Sequence, residues 1–329
     1  MKLQMQRIML YLFLGITFGF NQTSEINLEG KFLPVSKQSG FKMDGYYVWC
    51  GSMIKVDSRY HLFASRWPKL NKFPVDYFTM SEIVRAESDS PLGPFEFKEV
   101  IIGERNSSYW DSNMAHNPTI QKIGNEYVLF YIGRDFTTMR SNTNKLVRRI
   151  GYATAKSIYG PWHRSNKPVI DAESNNPAVL VDGGKVRLIY RNEQLRTYIA
   201  EADNFRGPYK TVNDNVWPEC KIEDFYLYKS FNKVHMICED NVGGITGHVR
   251  WGAHLFSENG LDNWKKYDPV IEYDHDIVYD DGDTLHCVRR ERPQLLIQDR
   301  KITHLITAVF DGTNSWCQPV QLSKPIELK

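Results

Sequence analysis

Long apolar runs are nearly absent from this chain of 329 residues. The one near the start, Ile8 to Phe20, has 13 residues, fewer than the roughly 18–20 a membrane-spanning helix needs. No other segment is apolar enough to cross a bilayer. Cysteine is scarce, with five residues (Cys50, Cys220, Cys238, Cys287 and Cys317) and no C-x-x-C pair. That excludes a zinc knuckle and a dithiol redox motif, and the odd count leaves at least one thiol unpaired. Histidine-rich and aspartate-rich metal motifs are missing. Asp280-Asp281-Gly282-Asp283 resembles part of a calcium loop but lacks the distal Glu, so it reads as an acidic turn and no metal ligand is assigned. Excess charge is absent too. With 41 Lys and Arg against 39 Asp and Glu, the net charge is +2, which points away from nucleic acid or an anionic membrane as partner. No coiled coil, low-complexity tract or linker is evident.

What is present begins at the N-terminus. Lys2 and Arg7, the apolar run and then polar Asn21–Ser24 describe a secretory signal peptide over 1–24. The expectation is export to the periplasm or the medium, with the folded part covering 25–329. No A-x-A cleavage site follows the run, so an uncleaved anchor stays open as the alternative. Aromatics make up 13% of the chain. They suit β-sheets and equally suit platforms for the apolar faces of sugars.

The strongest internal signal is a repeat. Ser52–Phe63, Asn117–Tyr131, Asn176–Tyr190, Glu223–Ile237 and Arg292–Ile306 each read as an apolar strand, a short polar turn and a second strand. Three of the units continue to a Gly-Pro-aromatic turn, at Gly93-Pro94-Phe95, Gly160-Pro161-Trp162 and Gly207-Pro208-Tyr209. The hairpins start 47 to 69 residues apart, enough for one four-stranded blade each. The fold class is therefore all-β, a five-bladed β-propeller of four-stranded antiparallel blades around a central channel.

In such a ring the first strands line the channel, so residues at their starts converge on one funnel. Read in order, these are Asp44, Trp49 and Cys50-Gly51, then Trp110, Asp111, His116 and Asn117, then Asn175-Asn176, Glu223-Asp224 and Arg290-Glu291-Arg292. A plain core would hold apolar groups there, because unpaired buried polar groups are expensive. Two carboxyl groups facing each other across a bond, one acidic and one basic, are what glycoside hydrolysis requires. Arg66, Trp49 and Trp110 lie close enough in sequence to serve as an anion contact and two sugar platforms.

The repeat, the Gly-Pro-aromatic turns and the polar strand starts together resemble the five-bladed propeller glycoside hydrolases, which include families 43, 62, 32 and 117. The resemblance implies a glycosidase acting on a plant or algal oligo- or polysaccharide, exo-acting and inverting, with carbohydrate as its partner. It places Glu223, in Ile222–Tyr228, where family 43 keeps its general acid. It also shows departures. Cys50-Gly51 falls where that family has its base-bearing Asp-Pro, and Asn176 replaces a carboxylate of the third blade. Asp44 and Asp111 are the nearest carboxylates to take over, and Asp224 competes with Glu223 because neighbouring strand residues face opposite ways. His116, Asn117, Asn176, Asp224, Glu291, Arg292, Arg66, Trp49 and Trp110 are then substrate contacts. No cofactor is implied, and a single structural cation in the central channel stays open. A phosphorylase, with Arg66, Arg290 and Arg292 as phosphate ligands, and a sugar-binding propeller without catalysis are the alternatives.

Overall fold

Two-residue turns between apolar strands build the molecule. The structure, a computed structural model, describes residues 26–137 and 147–329; the expected signal peptide lies outside them. The first blade comprises β1 (Tyr46–Val56), β2 (Arg59–Pro68), β3 (Glu82–Ser88) and β4 (Glu96–Ile102), with a short helix, α1 (Tyr77–Met80), between β2 and β3. The second is β5 (Met114–Ile123), β6 (Glu126–Arg134), β7 (Arg149–Ala155) and β8 (His163–Arg164). The third is β9 (Asn175–Asp182), β10 (Lys185–Arg191), β11 (Thr197–Ala202) and β12 (Lys210–Asn213). The fourth is β13 (Ile222–Ser230), β14 (Lys233–Asp240), β15 (Gly252–Ser257) and β16 (Lys265–Tyr273). A small hairpin, β17 (Asp276–Val278) and β18 (Thr284–His286), leads to the fifth blade, β19 (Arg289–Gln298), β20 (Lys301–Phe310) and β21 (Ser315–Glu327).

Turn chemistry accounts for the hairpins that open the blades. Gly183-Gly184, Phe231-Asn232 and Asp299-Arg300 join their strands with both central residues at positive φ, the backbone of a type I′ turn that matches strand twist. The fifth blade has three strands of its own, and the N-terminal segment fills the fourth place. Ser323 N donates to Lys31 O, Leu33 N to Gln321 O, and Phe41 and Cys317 exchange both backbone bonds. The start of the folded chain is thereby fastened to its end, and the ring closes.

The apolar cores lie between blades. Phe63, Ile83 and Ile102 of the first blade pack with Leu129, Tyr131 and Ala153 of the second. Trp162, from the second Gly-Pro-aromatic turn, meets Phe63 edge-on at 5.4 Å. First strands touch in ring order, β1 with β5, β5 with β9, β9 with β13, β13 with β19, and β19 with β1. That ring of contacts brings the five strand starts together.

Candidate active site

Each first strand is interrupted at the same place. Cys50, Asn117, Asn176, Asp224 and Arg292 have φ values of 58°, 55°, 55°, 56° and 57°. The pairing register shifts beside each of them. A left-handed residue inside a strand is a β-bulge that turns its neighbours toward the axis. The repeat thus makes two rings, one of these five residues and one of their predecessors Trp49, His116, Asn175, Glu223 and Glu291. All of them except Cys50 line one cavity of about 150 Å³. Asp224, rather than Glu223, occupies the position equivalent to Cys50 and Asn176.

The left-handed ring is held by hydrogen bonds between blades. Cys50 Sγ donates to Asn117 Oδ1 at 2.7 Å, and Asn117 Nδ2 donates to Asn175 Oδ1 at 2.9 Å. Asn176 Nδ2 donates to Asp224 Oδ1, and Arg292 donates to Asp224 from its backbone N at 3.1 Å and from Nη1 at 3.4 Å. Burial pushes the Cys50 thiol well up, so it remains a protonated donor. His116 Nδ1 lies 2.8 Å from Ser81 Oγ. Burial first, then the charges of Arg292 and Arg148, hold this imidazole well below its usual range, and it is neutral.

Four carboxyl groups gather on one side. Glu223 accepts from Arg191 Nη2 at 2.5 Å through one oxygen and from Asn241 Nδ2 at 2.5 Å through the other. Strand register explains the partners, since Arg191 sits opposite Asn175 and Glu239 opposite Glu223. Glu291 accepts from Arg250 Nη1 at 2.7 Å, and Arg289 Nη1 stands 3.7 Å away. The same Arg250 atom reaches Glu239 at 3.0 Å. Burial raises Glu291 to about 7, reinforced by the charge of Asp224 and opposed by Arg289 and Arg250. Burial likewise lifts Asp224 to about 6 against the pull of Arg292. Glu239, wholly buried with Oε2 unpartnered, is pushed well above the carboxylate range by burial and by Glu291. Oxygens of Asp224, Glu239 and Glu291 lie within 4.8 Å of one another, the spacing of a cation site, although Arg250 already brings a positive charge to two of them.

Much of the rest of the lining is aromatic. Trp49, Trp67, Phe73 and Tyr77 contribute, the last two from the β2–β3 connection. Phe73 stacks on Phe310 with centroids 4.3 Å apart, and Tyr77 covers His116 at 4.7 Å.

Of the residues expected to converge, Glu223, Asp224, Glu291, Arg292, His116, Asn117, Asn175, Asn176 and Trp49 do so; Asp44, Asp111, Trp110, Arg66 and Arg290 do not. Asp44 lies in a separate surface depression with Lys37, Lys42 and Trp316, because it belongs to the turn before β1. Asp111 is buried outside the cavity lining, locked by Arg105 and by Tyr131, whose hydroxyl donates to it at 2.6 Å. Trp110 is no open platform. It stacks on Tyr131, lies against Gly133 and Gly151, and donates to Ser165 O. Arg66 is committed to Glu82, and buried Arg290 donates to the backbone of Asp274 and Asp276. The phosphate trio of Arg66, Arg290 and Arg292 is therefore not assembled. Arg191, Arg250, Arg289, Glu239, Asn241, Phe73 and Tyr77 were not foreseen. Arg289 opens β19, and the others sit at second-strand ends or in the loops that follow, which is their one sequence signal.

No sequence-family model matches the chain, and no curated protein aligns with it significantly. Solved structures do match. Zg3597, a family 117 glycoside hydrolase produced by the marine bacterium Zobellia galactanivorans, superposes with a TM-score of 0.64 at 15% identity, over 89% of this chain and 90% of that one. The fold is that of the five-bladed propeller glycoside hydrolases. The α-L-arabinofuranosidase PaAbf62A from Podospora anserina, solved with cellotriose, gives 0.62 at 12% identity, over 90% and 98%. A thermostable family-43 glycoside hydrolase gives 0.61 at 14%, over 91% and 97%. The propeller likeness reaches the sequence resemblance to families 43, 62 and 117 by an independent route.

Proposed function

We propose that the protein is a glycoside hydrolase whose reaction takes place in the cavity on the propeller axis. One observation carries this reading: two carboxyl groups, Glu223 and Glu291, line the same small cavity, Glu223 tied through both oxygens to Arg191 and Asn241, and Glu291 crowded by the buried carboxyls of Asp224 and Glu239. Both oxygens of Glu223 accept hydrogen bonds, one from a guanidinium, which suits a base. Glu291 is raised to about 7 and so carries a proton for part of the time at neutral pH, which suits an acid. This division reverses the role that the family-43 resemblance gives Glu223. Aromatic side chains in the same lining, Trp49, Trp67, Phe73 and Tyr77, suit contact with the apolar face of a sugar ring.

The substrate is a plant or algal glycan taken from its end. A cavity of about 150 Å³ is smaller than the roughly 300–1,000 Å³ of sites for drug-sized ligands, so it admits about one sugar unit. Inversion of the anomeric centre is the expected outcome, with water activated by Glu223 as Glu291 protonates the leaving oxygen. Incubation with a panel of oligosaccharides, followed by anomer-resolved proton NMR, tests the proposal. Glu223→Gln and Glu291→Gln should each abolish release of reducing sugar while the protein stays folded. Near-native turnover in either variant removes that residue from the chemistry. Turnover that requires inorganic phosphate would make the enzyme a phosphorylase.

A further inference from the structure

The cavity is lined by four guanidinium groups, Arg191, Arg250, Arg289 and Arg292, against three carboxyl groups, Glu223, Asp224 and Glu291. Arg191 is matched to Glu223 and Arg292 to Asp224. The other two cations converge on a single acid, with Arg250 Nη1 at 2.7 Å and Arg289 Nη1 at 3.7 Å from Glu291 Oε1. Glu239, the second carboxyl touching Arg250, is wholly buried and pushed toward its neutral form. It therefore adds little countercharge.

Two features distinguish Arg250 and Arg289 from the buried pairs. Their side chains are 30% and 33% exposed, while Arg292 is 2% exposed. Arg250 uses Nη1 alone toward carboxylates, and the Arg289 guanidinium lies over the Phe73 ring at 5.6 Å. A cation–π contact holds a guanidinium near the ring and leaves its other N–H groups to an oxyanion.

We propose that the cavity takes an anionic glycan, with the substrate's carboxylate or sulfate group received between Arg250 and Arg289. The proposal rests on the reading of the cavity as a sugar site and names the substrate class of that site. An anion bound there supplies the charge that one protonatable carboxyl cannot fully supply. It also stands beside Glu291 and favours that group's protonated form, so the correct substrate would help arm the proton donor.

Calorimetric titration tests this with four probes of equal length, an oligogalacturonide, a sulfated galactan oligosaccharide, and their uncharged counterparts. The protein would be the full chain and its Glu223→Gln variant, which prevents turnover. One of the anionic probes should bind at least about tenfold more tightly than its neutral counterpart, the value of one charge-assisted hydrogen bond. Whichever binds tells carboxylate from sulfate. Arg289→Gln should erase the preference and Arg289→Lys retain part of it, with thermal melts showing both variants folded. Equal or weaker binding of both anionic probes, or no binding of either, overturns the proposal. Tight anionic binding without product from the unmutated protein would sink the hydrolase reading and leave this one standing. Hydrolysis of neutral glycans with no anionic preference would do the reverse.

Discussion

Arg191 and Glu223 meet across the boundary between the third and fourth blades, with Nη2 2.5 Å from Oε2 and both side chains nearly out of solvent. The pair ties the end of β10 to the start of β13 and fixes which way the Glu223 carboxylate faces. Removing the cation leaves a buried carboxylate with the Asn241 amide as its remaining close donor. Breaking one side of a buried pair costs on the order of 3 kcal/mol. Arg191→Gln should therefore lower the unfolding free energy, read from urea denaturation, by about that amount and reduce kcat/KM at least tenfold. Adding Glu223→Gln to it should recover much of the stability and none of the activity. A double variant no more stable than the single one would show that the pair is not what holds this boundary.

Glu291 gives a pH signature. Its folded value, about 7, lies above that of an exposed Glu, about 4.3, so the folded state binds this proton more tightly than the unfolded chain does. The stability it contributes is fully present below about pH 4 and is lost as the pH rises through 7. The shift is worth on the order of 3 kcal/mol. Buried histidines held low, His235 at about 3 and His304 at about 4, act in the opposite direction, so the comparison must be with Glu291→Gln. Between pH 4.5 and 7.5 the native protein should lose stability relative to that variant, and its kcat/KM should fall above about pH 7. Parallel stability curves would refute the assignment.

The propeller was legible because its units repeat. Five apolar hairpins of similar spacing need only be counted, and polar residues at strand starts mark the axis whatever their identity. The left-handed bulge residue of each blade was not legible, since Cys50, Asn117, Asn176, Asp224 and Arg292 share a backbone conformation while their side chains range from a thiol through amides and a carboxylate to a guanidinium. For the same reason the choice between Glu223 and Asp224 stayed open until the bulge fixed the register. Asp111 and Asp44 misled because proximity in sequence to a strand start says nothing of facing. A tight turn carries Asp44 outward, and two arginines with a tyrosine hydroxyl hold Asp111 inside the second blade. Arg250 and Asn241 entered from a loop, where no periodicity announces which side chain turns inward.

Trp110 is the core of its blade, not a sugar platform, and that has a sharp consequence. A methyl group placed on Gly151 would overlap the six-membered ring of Trp110, and one on Gly133 would press on Trp110 and Asp111. Overpacking of this kind costs about 1–3 kcal/mol. Gly151→Ala should lower the melting temperature by several degrees, and Trp110→Phe should relieve part of the loss when the two are combined. If Trp110 instead served substrate, Trp110→Phe alone would raise KM with the melting temperature unchanged.

Asp240 organises the loop that delivers Arg250. Its carboxylate accepts from the backbone N–H groups of Gly243, Gly244, Ile245 and Thr246, and from the Thr246 hydroxyl at 3.0 Å. Its own backbone is tied to the far end of the same loop, with Arg250 N donating to Asp240 O at 2.7 Å and Asp240 N to Trp251 O at 2.9 Å. Five donors converging on one buried carboxylate form a nest that an amide cannot replace, because an amide nitrogen repels the N–H groups it would face. Hydrogen bonds to a charged group are each worth about 1.5–3 kcal/mol, and several here are local enough to survive in part. Asp240→Asn should therefore destabilise the protein by about 2–3 kcal/mol and loosen the 241–250 loop, seen as faster amide exchange there. Because Arg250 reaches both Glu239 and Glu291 from this loop, kcat should fall along with stability, although Asp240 itself lies outside the cavity lining. A folded Asp240→Asn protein with unchanged kcat would show that Arg250 holds its place without the nest.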